Sequence, residues 1–294
     1  MKILFIGSVE FSIRALEKIV EIGGNVVGVC TLKESSFNSD YCDLSKYSEE
    51  HNIPCCYVED INSEESIKWI TKIGPDVIFC FGWSRLLKAE ILSISSIGVI
   101  GFHPAALPAN RGRHPIIWAL ALGLKNTAST FFFMDGGADS GDILSQSPIA
   151  ISDFDDARSL YDKVISTALI QIVEFLPLLL SGNYPKVKQD STRSNTWRKR
   201  GKKDGIIDWR MSANSIHNTV RALAKPYVGA EFNYDNINYK LWKTELIFGD
   251  FDNIEPGKVI DIVNSDFPII KCGDFAIKLV ETDPKFMTSI GVYL

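Results

Sequence analysis

Residues 101–146 read GFHPAALPANRGRHPIIWALALGLKNTASTFFFMDGGADSGDILSQ. An apolar run, Ile97 to Phe102, leads straight into His103. A second, Thr130 to Met134, leads straight into the turn Asp135-Gly136-Gly137-Ala138-Asp139-Ser140-Gly141. In an open parallel sheet, residues just past the carboxyl ends of strands line the ligand crevice. A His and an Asp emerging there can pair as imidazole and carboxylate, the common arrangement for proton transfer near neutral pH.

Outward from this stretch, strands alternate with helices. Lys2–Gly7 reads as a buried strand, followed by a helix over Phe11–Ile22 that ends at Gly23-Gly24, and Asn25–Thr31 as a second strand. Residues 53–58 and 75–81 are further strands, with an amphipathic helix at Ser63–Ile73 between them. Helices follow at Ile116–Leu124 and Asp155–Leu180. The expectation is an α/β fold with an open, mostly parallel sheet and helices on both faces. Apolar periodicity stops at Gly182, and Arg193, Arg198, Lys199, Arg200, Lys202 and Lys203 form a basic cluster read as a solvated linker. A helix over Ser212–Lys225 then leads into short β-like runs at 229–234, 238–248, 257–263, 267–272 and 275–281. They predict a small β-rich domain with one leading helix, compatible with an open barrel. The organisation expected is a catalytic domain at 1–185, a linker at 186–205 and a C-terminal domain at 206–294.

The 294 residues are 46% apolar and 23% charged, ordinary for a globular protein with a sizeable core. A net charge of −5 argues against a protein built to clamp a phosphate backbone. The six cysteines have no framework spacing, and no Cys/His ligand cluster predicts a metal. Cys30 and Cys80 sit in apolar runs and read as buried thiols in a reducing compartment. The opening MKILFIG is too short for a signal peptide, and no stretch approaches ~18 uninterrupted apolar residues. A cytoplasmic protein with no membrane span is expected.

Several residues carry two readings. Gly7-Ser8-Val9-Glu10-Phe11-Ser12 lacks the second and third glycines of a dinucleotide fingerprint, so Gly7 reads as a tight turn bordering a ligand. Arg111 and Arg113 flank Gly112, where each could grip an anion or form a structural ion pair. His114, before Pro115, packs a helix entry or meets a ligand. Trp83 follows a strand end and could stack on a flat heterocycle, whereas Phe131–Phe133 reads as strand core. His51 and His217 read as solvated.

Four segments together resemble the formyltransferase family that uses 10-formyltetrahydrofolate. MKILFIGSVEFSIRALEKIVEIGGNVVGVCT is similar to its opening strand–helix–strand, HPAALPANRGRHPI to the loop after its catalytic His, and DGGADSGDILSQ to its catalytic Asp loop. KKDGIIDWRMSANSIHNTVRALAKPYVGAEF is similar to the entry into a C-terminal domain shared by the tRNA and sugar members. The resemblance covers nearly the whole chain. It implies a Rossmann-like formyltransferase domain, catalysis by His103 and Asp139, and no metal. It places the folate against Trp83, Arg85, Leu86, Leu87, Ala105, Ala106, Leu107, Pro108, Phe133, Asp135, Gly137 and Asp139. The acceptor falls near Ser8, Phe11, Asn110, Arg111, Arg113 and His114.

One position departs from the family, which usually carries an Asn two residues before the catalytic His; here it is Gly101. Losing one donor to a developing oxyanion typically costs ~100–1000-fold in rate. Asn110, His114 or a fixed water could supply the contact instead, or the chain is a non-catalytic folate- or sugar-binding member. The methionyl-tRNA enzymes carry a long basic insertion after the second strand. The equivalent Leu32–Asp40 has one basic and two acidic residues, which disfavours nucleic acid. The resemblance therefore implies an amino sugar, nucleotide-linked or nonulosonate-type, in surface-glycan synthesis, with methionyl-tRNA formyltransferase as the alternative. A homodimer stays open.

Overall fold

Period-two alternation decides how the first sheet is clothed. Phe79 and Phe81 stack on one face, while Ile78 and Cys80 join a separate cluster on the other. A strand apolar in both directions must be covered twice. A computed structural model describes residues 1–35 and 39–294; Ser36, Phe37 and Asn38, part of the segment whose charge was read above, lie outside the described residues.

The elements run β1 (Ile3–Ile6), α1 (Glu10–Glu21), β2 (Val26–Thr31), α2 (Ser45–Glu50), β3 (Cys55–Tyr57), α3 (Glu64–Ile73), β4 (Val77–Cys80), α4 (Ala89–Leu92) and β5 (Gly98–His103). They continue with β6 (Arg111–Gly112), α5 (Pro115–Ala121), β7 (Asn126–Phe133), β8 (Ile143–Ala150), α6 (Ala157–Ser181) and β9 (Thr196–Trp197). Seven strands form one sheet in the order β3-β2-β1-β4-β5-β7-β8, parallel from β3 to β5. One face carries Phe5, Phe79, Phe81, Phe102 and Phe131, packed against Phe11 of α1 and Phe175 of α6. Each fully buried ring of this kind stabilises the fold by about 1.5–3 kcal/mol. The other face packs Leu4, Ile6, Ile78 and Val99 against Ile70 of α3 and Ile91 of α4. Ser63 caps α3 by accepting from the Ser66 amide, and Gly74 ends it in the left-handed conformation.

Three features differ from expectation. β7 runs antiparallel to β5, with Ile100 opposite Phe133 and His103 opposite Thr130, so the carboxyl end of β7 is not beside His103. β8 went unread because ILSQSPIA buries only two of its eight side chains. α6, with 25 residues, is long and apolar enough to cross a membrane by length and composition, despite its interrupting polar residues. Its face is instead built into the core: Val164, Ala168, Ile172 and Phe175 are buried, and buried Gln171 donates to the Ser129 carbonyl. Between β1 and α1, Gly7 also allows a close approach, since a Cβ there would lie 2.6 Å from the Phe81 carbonyl oxygen and from Ser12.

The chain divides into one compact unit of Met1–Pro115, Thr127–Ile149 and Asp162–Trp197, and a second of Ile116–Asn126, Ala150–Tyr161 and Arg198–Leu294. The second contains α7 (Ala213–Leu223) and the strands β10 (Ala230–Tyr234), β11 (Ile237–Ile247), β12 (Val259–Val263), β13 (Phe267–Lys271) and β14 (Ala276–Asp283). They form an antiparallel sheet in the order β10-β11-β14-β13-β12, whose outer strands are partly paired by the segments around Ile206 and Val292. Its basic residues are partly spent on neighbours: Arg198 pairs with Asp204, whose carboxyl falls to about 2, and Lys202 lies 3.6 Å from Glu231.

His217 is not solvated as expected. It is half-buried on α7 with Nδ1 3.0 Å from the Thr244 hydroxyl, and burial, then the nearby Arg221, lowers its pKa from 6.5. A depressed pKa means the unfolded chain binds the proton first, so stability present above about pH 6.5 is lost as pH falls towards the folded value. Thermal midpoints measured from pH 7.5 to 5.5 are expected to fall more steeply for the native chain than for His217→Gln.

Candidate active site

His103 is the last residue of β5, and the strand alternation places it on the same face as Val99 and Gly101. The ring is 5% exposed and faces two acceptors. Nε2 lies 2.8 Å from the Asn110 carbonyl oxygen, and Nδ1 lies 3.6 Å from Oδ2 of Asp139. The second distance is an ion-pair approach rather than a formed hydrogen bond, and such contacts often tighten only around substrate. A proton on either ring nitrogen thus has an oxygen to meet.

Because β7 ends level with the middle of β5, the turn after it must return to bring Asp139 to His103. The glycines make this fold-back fit. A Cβ on Gly141 would sit 1.7 Å from the Phe133 carbonyl oxygen, and Phe133 donates its amide to the Asp142 carbonyl at 2.8 Å. Asp135 organises the inside of the turn, accepting from the Gly137 amide at 2.9 Å and the Ser140 hydroxyl at 2.7 Å. Asp139 itself is left-handed at φ +55°, and its Oδ2 accepts the Gly112 amide at 2.9 Å. The loop of residues 104–114 therefore supplies one acceptor to His103 and a donor to the carboxylate that faces it.

The other anticipated residues divide. Arg113 donates to the Ser84 carbonyl at 3.0 Å, tying the 104–114 loop to the Trp83–Leu87 loop. In the latter, Arg85 donates to the Glu59 carbonyl and the Leu86 carbonyl accepts from Asn62. The Trp83 indole nitrogen is buried with no acceptor among the described residues. The side chains of Leu87, Ala105, Leu107 and Phe133 are buried; the carbonyls of Ala105 and Leu107 are taken by Thr130 and Gln146, whereas Ala106 and Pro108 are half-exposed and Gly137 is exposed. Phe11 stacks 4.3 Å from Phe102 in the core, which leaves it no surface for an acceptor. Ser8 is equally buried, its hydroxyl without a partner among the described residues. His114 is half-buried at φ +56°. Arg111 holds Gln189, not an anion, through Nη2 at 2.7 Å. No cluster of His, Cys, Asp and Glu able to hold a metal occurs among the described residues.

Sequence reasoning missed the contributions of Gln146, Gln189, Asn195 and Met134. The first three are lone amides in stretches without periodicity, and nothing in such a residue signals its partner. Met134 explains Gly101: a Cβ at that glycine would meet Met134 Cγ at 2.8 Å and Phe132 at 3.1 Å. Any side chain there would have to displace Met134 or Phe132.

A formyl transferase family model matches residues 1–176 and a formyl transferase C-terminal domain model matches residues 199–289. The chain belongs to the formyl transferase family. It is 31% identical over 297 residues to the methionyl-tRNA formyltransferase of Caldanaerobacter subterraneus subsp. tengcongensis, covering 99% of this chain and 95% of that one. It is also 31% identical over 282 residues to the bifunctional polymyxin resistance protein ArnA of Wigglesworthia glossinidia brevipalpis, covering 95% of this chain and 42% of that longer protein. Among solved structures, the N-formyltransferase of Helicobacter canadensis in complex with folinic acid and dTDP-3-aminofucose superposes with a TM-score of 0.70 at 20% identity, covering 95% and 98% of the two chains. At that identity the likeness concerns the fold.

Overpacking a filled site typically costs about 1–3 kcal/mol. Gly101→Asn is therefore expected to lower the thermal midpoint and to slow single-turnover formyl transfer, and Met134→Ala in the same chain to recover part of the stability. A clear rate increase in Gly101→Asn alone would show instead that the native site lacks a donor it could use.

Proposed function

We propose that this chain transfers the formyl group of 10-formyltetrahydrofolate to the primary amine of an amino sugar, nucleotide-linked or nonulosonate-type, in surface-glycan synthesis. The observation that carries this reading is the His103 imidazole set between the Asp139 carboxylate and the Asn110 carbonyl. The folate supplies the one-carbon electrophile on N10. As the amine nitrogen bonds to that carbon it must shed a proton, and N10 must gain one as its own bond breaks. His103 is placed to accept and return that proton, with the Asp139 carboxylate facing Nδ1 of the ring. The orphaned Trp83 indole N–H offers a donor to a flat heterocycle carrying acceptors, which suits the pterin.

The acidic balance of the chain and the internal pairing of Arg198 and Lys202 support a small acceptor over a polyanion. The identity to a methionyl-tRNA formyltransferase over nearly the whole chain favours the second reading, initiator tRNA as acceptor. A panel of nucleotide-linked amino sugars incubated with 10-formyltetrahydrofolate separates the two. A product heavier by one CO is expected for a sugar, whereas transfer to charged initiator tRNA with steeply salt-dependent binding would overturn the sugar reading. His103→Ala and Asp139→Asn are each expected to reduce transfer by ~100–10,000-fold with the fold intact. Near-native turnover in either variant removes that residue from the mechanism.

A further inference from the structure

Residues 187–197 leave α6 and cross the site as a polar strap. β9 within it pairs in parallel with β6, Arg111 opposite Thr196 and Gly112 opposite Trp197. Two of its side chains act on the two residues whose oxygens face His103. Gln189 is 7% exposed, and its Nε2 donates to the carbonyls of Asp139 at 2.8 Å and Gly141 at 2.7 Å. Its Oε1 accepts from Arg111 Nη2 at 2.7 Å and Nε at 3.2 Å. Both amide protons and the oxygen are thus used. Asn195 accepts the Asn110 amide on Oδ1 at 2.7 Å, and its carbonyl accepts the Arg111 amide at 3.1 Å.

Both residues held this way have positive φ. Asp139 lies at φ +55° and Asn110 at φ +64°, left-handed conformations that Asp and Asn enter more readily than other non-glycine residues. Gln189 is the restraint on the first and Asn195 on the second. Arg111 and Gly112 link the two halves, since Gln189 grips Arg111 while the adjacent Gly112 amide binds the Asp139 carboxylate.

We propose that Gln189 and Asn195 are positioning residues for formyl transfer, Gln189 setting the Asp139 carboxylate and Asn195 the Asn110 carbonyl against His103. The proposal rests on the reading of His103 and Asp139 as the pair that moves the proton. Neither residue touches substrate in this account, so their removal acts on kcat and not on KM.

The test compares Gln189→Ala, Gln189→Glu, Asn195→Ala and Asn195→Asp in the full chain. Gln189→Glu keeps the acceptor for Arg111 and loses the donor to Asp139, whereas Asn195→Asp keeps the acceptor for the Asn110 amide. A misplacement of about 1 Å at a reacting group can cost on the order of 100-fold in rate. Both Gln189 variants and Asn195→Ala are expected to lose kcat on that scale with KM for the folate little changed, and Asn195→Asp to be rescued. The chain has four histidines, so the His103 ring resonance can be assigned with His103→Ala and followed without any acceptor. Its chemical shift at fixed pH in Gln189→Ala is expected to move in the direction seen for Asp139→Asn. Native kcat in Gln189→Ala, failure of Asn195→Asp to rescue, or an unmoved His103 ring resonance would each overturn the proposal. Absence of transfer by the native chain refutes the proposed acceptor, and the ring resonance still decides the role of the strap.

Discussion

The imidazole of His103 lies between two oxygens that come from different loops and neither of which belongs to its own strand. The carbonyl comes from Asn110 and the carboxylate from Asp139, so two left-handed loop residues must be brought to one ring. That requirement accounts for much of the local architecture. It explains why the Asp139 turn needs a glycine where any Cβ would strike the Phe133 carbonyl. It also explains why Gly112 offers its amide to the carboxylate while lying at φ +102°, its backbone pressed to within 2.3 Å of Trp197 for a Cβ.

The layered core gives those loops something rigid to stand on. The aromatic face under α1 and α6 anchors β4, β5 and β7 through contiguous rings, and the aliphatic face carries the side on which His103 emerges. Close-packed interiors deform little, so loops rooted at strand ends inherit that rigidity. The aliphatic cluster also reaches the site through Met134, which packs against it and occupies the space beside Gly101. A Cβ at Gly101 would strike that methionine, so the glycine and the methionine fit as a pair.

Legibility from sequence varied with the range of the interactions. α3 was readable to within a residue because Ser63, the apolar spacing and Gly74 are all local signals. The parallel half of the sheet followed from its alternation with helices. β8 escaped because only Leu144 and Ile149 are buried along it, and His217 was misread because the Thr244 hydroxyl that engages it lies on a distant strand. The segment after Gly182 read as a solvated linker because a polar run without periodicity has no inward face to detect. Gln189, buried and fully bonded within it, depends on partners 48 and 50 residues away.

By itself the sequence determined the α/β class, the family, the candidacy of His103 and Asp139, and the departure at Gly101. Local periodicity, turn chemistry and motif spacing are written along the chain and need no partner to be read. Only the tertiary structure decided that β7 runs against β5, that its turn returns to His103, that Phe11 is core and Arg111 a tether, and that Met134 fills the place beside Gly101. Those facts are set by which distant surfaces meet, and hydrogen-bond partners so far apart are selected by packing of the whole sheet rather than by any local preference of the residues that make them.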